Sequence, residues 1–394
     1  MIKILTFSTL FPNTIKPSHG VFVETRLRHL VASGEVSARV LAPVPWFPST
    51  NPAFGQYAKF ASVPREEVRF GLKIEHPRYF LPPKVGMISA PLLLALAARR
   101  SIKKLLAAGE DFDLIDAHYF YPDGVAAILL GKWFNKPVVI TARGSDISLI
   151  PNLYKLPSKM IQWAAQNAAG IVTVCQALKD AMIELGISEK KIITLRNGVD
   201  LELFQQTDRQ SERARLNITR RTLLSVGNLV PLKGNDLTIR ALLYLPDTDL
   251  LIVGAGPEKN RLIALANEIG VTNRVRFLGV LSQAELSGYY GAVDALVLAS
   301  SREGWANVLL EAMACGTPVI ASNVWGTPEV VASRDAGVLM PTRTPEGIAS
   351  SVKTLFSDYP KHIATRHYAE KFSWDDTSSG QIRLFKEILE QYNK

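Results

Sequence analysis

Short, continuous apolar runs alternating with helical segments constrain this chain more than any other feature. In the first half the runs are IKILTFS, SARVLAP, DLIDAHY, KPVVITA, AGIVTVC and KIITLR; in the second they are RTLLSVG, TDLLIVG, RVRFLG, DALVLAS and TPVIAS. Unbroken apolar character marks strands buried on both faces, and amphipathic segments such as 21–32, 176–185 and 283–292 supply the covering helices. The pattern predicts an α/β fold with parallel sheets. The polar stretch QQTDRQSERARLNITR, at 205–220, divides the series into two. Two doubly wound, Rossmann-like domains are therefore expected rather than one barrel, with a first domain over 1–204, a linker over 205–220 and a second domain over 221–374. A last helix is placed at 375–394.

The segment 43–83 stands apart. It holds eight prolines and the aromatics Trp46, Phe47, Phe54, Tyr57, Phe60, Phe70, Tyr79 and Phe80. It is too irregular for a βαβ unit and too aromatic for disorder, so it is read as an insertion packed on the first domain, either beside an acceptor or purely structural.

Charge is unevenly spread. Residues 1–204 hold 24 Lys and Arg against 16 Asp and Glu, whereas 205–394 hold 21 against 20, together giving the net +9. A basic first domain suits an anionic partner. Nucleic acid is disfavoured, because the chain has no recognition motif, arginine-rich run or stacking array. A membrane surface or an anionic acceptor fits better. LALAARRSIKKLLAAG, with Arg99, Arg100, Lys103 and Lys104 beside leucines, reads either as a membrane-surface helix or as a surface helix with its leucines in the core. MIKILTFSTLFP reads as a first strand rather than a signal peptide, and ISAPLLLALAA is too short to span a bilayer. These readings place the protein in the cytoplasm, peripheral at the inner face of the membrane if it binds one. Cys175 and Cys315 read as small buried hydrophobes.

EGWANVLLEAMACGTPVIAS, at 303–322, carries the chemistry. DALVLAS ends a strand, a helix starts near Ala306 or Asn307, and Gly316 and Pro318 stop it. Glu303 then lies in the loop before the helix and Glu311 about one turn inside it. Gly304 and Ala306 permit close approach, and the amides of Asn307 and Val308 open an anion site. Two carboxylates flanking a phosphate site suit a polyhydroxylated phosphate ligand such as a nucleotide sugar. In SVGNLVPLKGND, Lys233 follows a strand ending at Gly227 and can neutralise a diphosphate leaving group. GAGPEK, at 254–259, lacks the third glycine of a dinucleotide fingerprint. DFD, at 111–113, precedes its strand, at the wrong end of a parallel sheet for a ligand, so no metal is expected there.

These residues resemble retaining glycosyltransferases of family 4, which have the two-domain GT-B architecture. The E-x7-E spacing from Glu303 to Glu311 carries the resemblance, with GTPEVV, HGVFVETRLRHL, HYFYPDGVAA, TARGSDI, RNGVDLELF and FSWDD extending it over most of the chain. The resemblance implies two domains facing each other across a cleft that closes on the donor, with the 375–394 helix crossing back to the first. It also implies a nucleotide-sugar donor, with UDP- or GDP-sugars the leading choices, and neither cofactor nor metal. Glu303 would hold hydroxyls of the transferred sugar and Glu311 those of the ribose, while the amides of Asn307 and Val308 bind the distal phosphate and Lys233 the diphosphate. Gly20 would let the first domain approach the donor; Gly227, Asn228, Gly256, Leu278, Gly304 and Ala306 line the donor site. His118 and Arg143, at neighbouring strand ends and facing the cleft, are the first-domain candidates for catalysis beside Glu303 and Lys233; the other reading of His118 is a strand-end histidine satisfied by hydrogen bonds. Asn228 stands where the family often has arginine, and Arg143 where it often has histidine.

The resulting expectation is a retaining hexosyltransferase acting on a lipid-linked or glycan acceptor in surface polysaccharide or glycolipid synthesis. The alternatives are a non-catalytic nucleotide-sugar-binding partner, or a GT-B epimerase or phosphorylase.

Overall fold

A computed structural model describes residues 1–81 and 86–392. The last two residues of the 43–83 segment and of the 375–394 helix lie outside the described residues. The chain divides into two compact units, Met1–Arg196 with Asp375–Lys394, and Asn197–Trp374.

The first unit is built on an eight-stranded sheet. In chain order its strands are β1 (Ile2–Phe7), β2 (Val36–Leu41), β3 (Glu66–Arg69), β4 (Leu72–Glu75), β5 (Leu114–His118), β6 (Val138–Ala142), β7 (Gly170–Thr173) and β8 (Ile192–Thr194). Their spatial order is β8-β7-β6-β5-β1-β2-β4-β3, parallel except for the β3–β4 edge pair. Every residue of β5, β6 and β7 is buried, as expected of central strands covered on both faces. Three helices matter below: α1 (Val21–Ala32), α2 (Gly86–Ala107) and α3 (Val125–Phe134), the last packed on α2.

The proline- and aromatic-rich segment is more regular than expected. Instead of merely resting on the domain, it contributes β3 and β4 to the main sheet, and Leu72 and Ile74 enter the same core as Val36 and Val40. These strands are only four residues each and interrupted by Glu66, Glu67, Lys73 and Glu75, of which Glu66 and Lys73 face water, which hides them from a search for doubly buried runs.

The helix α5 (Trp374–Tyr392), the last in the chain, buries Ile382, Phe385 and Ile388 in the first-unit core. Burying Phe385 alone contributes about 1.5–3 kcal/mol. Gly170, opening β7, makes room: a Cβ there would lie 2.8 Å from Ile388 Cδ1.

The second unit has a six-stranded parallel sheet: β9 (Arg221–Val226), β10 (Thr248–Val253), β11 (Val275–Gly279), β12 (Ala295–Leu298), β13 (Val319–Ser322) and β14 (Gly337–Met340). The spatial order is β11-β10-β9-β12-β13-β14. Leu223, Leu250, Ile252, Val297 and Ile320 centre its core, which the helix Pro345–Ser357 closes with Ile348, Val352 and Leu355. The short edge strand β14 is not among the runs recognised in the sequence. Between Ala306 and Cys315 lies α4 (Asn307–Ala314), beginning and ending where the glutamate motif places it.

Candidate functional site

In the second unit the chain passes from β9 outward to β10 and β11, then returns to place β12 on the other side of β9. Ligands of open α/β sheets bind outside the carboxyl ends of strands at such a reversal. The loops after β9 and β12 are tied together there, since Ser301 N donates to the Leu232 carbonyl at 2.9 Å, and Arg343, following β14, steadies the second loop by donating from Nε to the Ala299 carbonyl at 2.8 Å. Gly234 adopts φ 65°, and a Cβ on it would sit 2.3 Å from the Ala299 oxygen. Only glycine permits both this left-handed turn and this approach.

The turn presents Lys233 directly to Glu303. Their Nζ and Oε1 atoms are 2.5 Å apart, and Ser300 Oγ donates to the same oxygen at 2.6 Å. Both side chains are partly buried, so the contact is stronger than an ordinary surface pair. Thus the residues expected to meet a diphosphate and a sugar are brought together, each holding the other's charge.

The helix α4 begins at once after this loop. Its N-cap, Ala306, provides no side-chain cap, leaving the amides of the first turn, including those of Asn307 and Val308, to other acceptors. Asn197 Nδ2 donates to Asn307 Oδ1 at 3.2 Å. Glu311 follows one turn on and accepts from Tyr290 Oη at 2.9 Å. Burial pushes the Glu311 carboxyl up to about 7 and, with Glu311 alongside, drives the Tyr290 phenol well above its usual range. Gly316, at φ 83°, ends the helix.

Other expected donor residues lie around this crevice or serve the scaffold. Gly304 is partly exposed, Ala306 is buried and Asn228 is exposed. Gly227 has a backbone reason, its φ of 150°, and Gly256 a packing one, since a Cβ there would lie 2.3 Å from the Leu229 carbonyl oxygen. Leu278 is on β11, with β10 between it and β9.

The first unit reverses between β1 and β5, and again the following loops are tied. Asp123 accepts from Thr9 N at 2.6 Å, Thr9 Oγ1 at 3.0 Å and Ser8 Oγ at 3.5 Å. Burial raises its carboxyl to about 7. Gly20 caps α1 at φ 73°, where a Cβ would stand 2.4 Å from the Leu10 oxygen.

His118 ends β5, and Arg143 follows the adjacent β6. Arg143 Nη2 donates to His118 Nδ1 at 2.7 Å, so Nε2 keeps the ring proton and faces Asp116 Oδ2 at 3.3 Å. The imidazole is 1% exposed, and burial pulls its pKa down to about 4. Both ring nitrogens are therefore engaged inside the domain and neutral at physiological pH. Asp116 also accepts from Gln381 Nε2 of α5 at 3.0 Å, and Gln381 accepts from Arg26 Nε of α1 at 2.8 Å.

Asp116, Asp123, Arg26, Gln381 and Tyr290 were not singled out in the sequence. An aspartate inside the apolar run LIDAH and another in YPDG were the available signals. The DFD carboxylates have structural partners: Asp111 pairs with Lys136 at 2.9 Å, and Asp113 accepts from Lys3 N at 2.7 Å. Among the described residues no group of three or more His, Cys, Asp or Glu is arranged to hold a metal ion.

Known proteins resemble this chain in sequence and fold. The family model Glycosyl transferases group 1 matches residues 206–372, and Glycosyltransferase Family 4 matches residues 40–203. A D-inositol 3-phosphate glycosyltransferase from Corynebacterium aurimucosum is 30% identical over 71% of this chain and 72% of its own. The chain belongs to glycosyltransferase family 4. Its fold is GT-B, as in a sucrose-phosphate synthase from Thermosynechococcus elongatus, with TM-score 0.82 at 20% identity over 99% of this chain and 100% of the other. HepE of Anabaena, solved with UDP-glucose, superposes with TM-score 0.71 at 19% identity over the full length of both chains. This glycosyltransferase therefore places the crevice formed by Lys233, Glu303 and α4 in the domain matched by the group 1 model.

Proposed function

We propose that the protein moves a sugar, with retention of anomeric configuration and without a metal, from a nucleotide-diphosphate sugar to a lipid-linked or glycan acceptor. The observation that carries this reading is the Lys233–Glu303 pair at the β9/β12 reversal, beside an N-terminus of α4 without a side-chain cap. A diphosphate arriving at the amides of Asn307 and Val308 competes for Lys233 and releases Glu303 to accept sugar hydroxyls. Glu311 accepts from the ribose. UDP-glucose in the Anabaena structure supports a nucleotide sugar as donor.

Chemistry follows from this arrangement. As the glycosidic bond to the diphosphate breaks, negative charge gathers on the leaving phosphate, where Lys233 and the helix amides already point. The leaving group takes the acceptor proton on the face it departs from, so the new bond forms with retention. Glu303 clamps the sugar rather than attacking it. In the first domain, Gly20 and Arg143 are proposed to serve the donor and acceptor side. His118, with both nitrogens occupied, acts by holding Arg143.

The named acceptor of the Corynebacterium relative, an inositol phosphate, favours a second reading in which the acceptor is a soluble phosphorylated polyol. It suits the basic first domain equally well. Transfer assays with lipid-linked and soluble phosphorylated acceptors separate the two.

Lys233→Ala and Glu303→Ala are each expected to lower kcat/KM by about 10²–10³-fold, the scale of losing one preorganised charge contact at the transition state. Their unfolding midpoints should stay near wild type. Near-wild-type turnover by either variant, with donor and acceptor supplied, overturns the assignment.

A further inference from the structure

The helix α2 carries two apolar faces, and the core takes only one. Leu94, Ala95, Ala98, Ile102 and Leu105 are buried, so the leucine-to-core reading of this helix holds for that face. On the adjoining face Ile88 and Leu92 are each 50% exposed and Leu96 is 44% exposed. At 3.6 residues per turn these three and the exposed Arg99 and Lys103 fall within roughly 80° of one another around the helix. The exposed stripe is thus aliphatic over the first half of α2 and cationic over the second. The arginine extends it sideways: Arg99 lies over the indole of Trp133, on the neighbouring helix α3, at 5.3 Å from the ring, and that indole is itself 39% exposed.

Water is a poor partner for such a stripe, because branched aliphatic side chains at helical spacing gain nothing from solvent. A protein groove of mixed charge is also a poor fit, since α2 contains no acidic residue with which to pair. Aliphatic side chains, an indole and cations on one face of one helix match the interface of an anionic bilayer. Acyl chains accept the leucines, the indole sits at headgroup level and phosphates meet the cations. We infer that the exposed face of α2, with Ile88, Leu92, Leu96, Arg99 and Lys103, together with Trp133 of α3, docks the first domain on an anionic membrane surface. The inference deepens the reading of a lipid-linked acceptor, because it gives that acceptor's membrane a specific face of the protein. No bilayer crossing is involved, and no described helix is long and apolar enough for one.

Co-sedimentation with vesicles tests the inference without donor or acceptor, so its outcome is separate from that of transfer. Wild type should pellet with phosphatidylcholine vesicles containing phosphatidylglycerol, should stay in solution with phosphatidylcholine alone, and should be released by salt. Each interfacial cation contributes about fivefold in partitioning, so Arg99→Ala with Lys103→Ala should weaken binding about twenty-five-fold. Leu92→Asp with Leu96→Asp should weaken it at least tenfold, and both pairs are exposed enough to leave the fold intact. Transfer to a soluble acceptor should be unchanged in both variants. Equal pelleting on neutral and anionic vesicles overturns the inference, as does undiminished binding by either variant. A dimer by analytical ultracentrifugation that Leu92→Asp with Leu96→Asp dissolves would show that a second copy covers this face instead.

Discussion

Glu311 is the residue whose chemistry is most sensitive to its surroundings. Its carboxyl has an ordinary value near 4.3 when unfolded and is held at about 7 by burial in the folded domain. Between these values the unfolded chain has lost its proton while the folded chain keeps it, so the contribution of Glu311 to stability falls as pH rises through that window. Donor binding should move the other way, because only the carboxylate accepts two ribose hydroxyls. The nucleotide Kd is therefore expected to fall about tenfold from about pH 6 to about pH 8, and to be nearly flat in Glu311→Gln. Calorimetric titration at several pH values checks this, and a wild-type Kd that does not change with pH excludes the ribose role. Glu303, Glu311 and Lys233 were legible in the sequence because their roles follow from local spacing around a strand end and a helix start. Tyr290 and Asp123 were not, because each acquires its role from a partner over twenty residues away that only the folded chain brings near.

At the scale of elements, the two loops after β9 and β12 behave as one piece through Gly234. Gly234→Ala forces a Cβ against the Ala299 carbonyl oxygen from a backbone at φ 65°. The loops must separate, taking Lys233 away from Glu303. The variant is expected to lose transfer as thoroughly as Lys233→Ala and, unlike it, to lose about 1–3 kcal/mol of stability; urea unfolding beside a transfer assay distinguishes the two. Unchanged stability and turnover would mean that the loops are not coupled through this residue. Strands buried on both faces were legible as apolar runs, β1, β5, β6 and β9 among them. The four-residue strands β3, β4 and β14 were not: β3 and β4 are broken by charged residues, and β14 is too short to stand out as a run. The α2 helix was legible as either of two things, and the structure makes it both: one apolar face fills the core and a second is exposed beside the cations.

For the whole molecule, the sequence carried the α/β class and the two parallel sheets, but not the spatial order of strands. That order places the Lys233 and Glu303 loops side by side, since β9 and β12 are neighbours although β10 and β11 come between them in the chain. The same holds for the buried chain from Arg26 through Gln381 to Asp116, which joins α1, α5 and β5 of the first domain across most of the sequence. A thermal-shift panel of UDP-, GDP- and ADP-sugars, with and without a divalent metal, tests whether the β9/β12 crevice is a nucleotide-sugar site. A ligand at a hundred times its Kd stabilises its domain by about 2.7 kcal/mol, so the matching nucleotide should stand out. A metal-independent shift by one nucleotide series, lost in Glu311→Ala and in Lys233→Ala, is expected. No shift by any nucleotide sugar, or a shift that both variants retain, would contradict the assignment of that site.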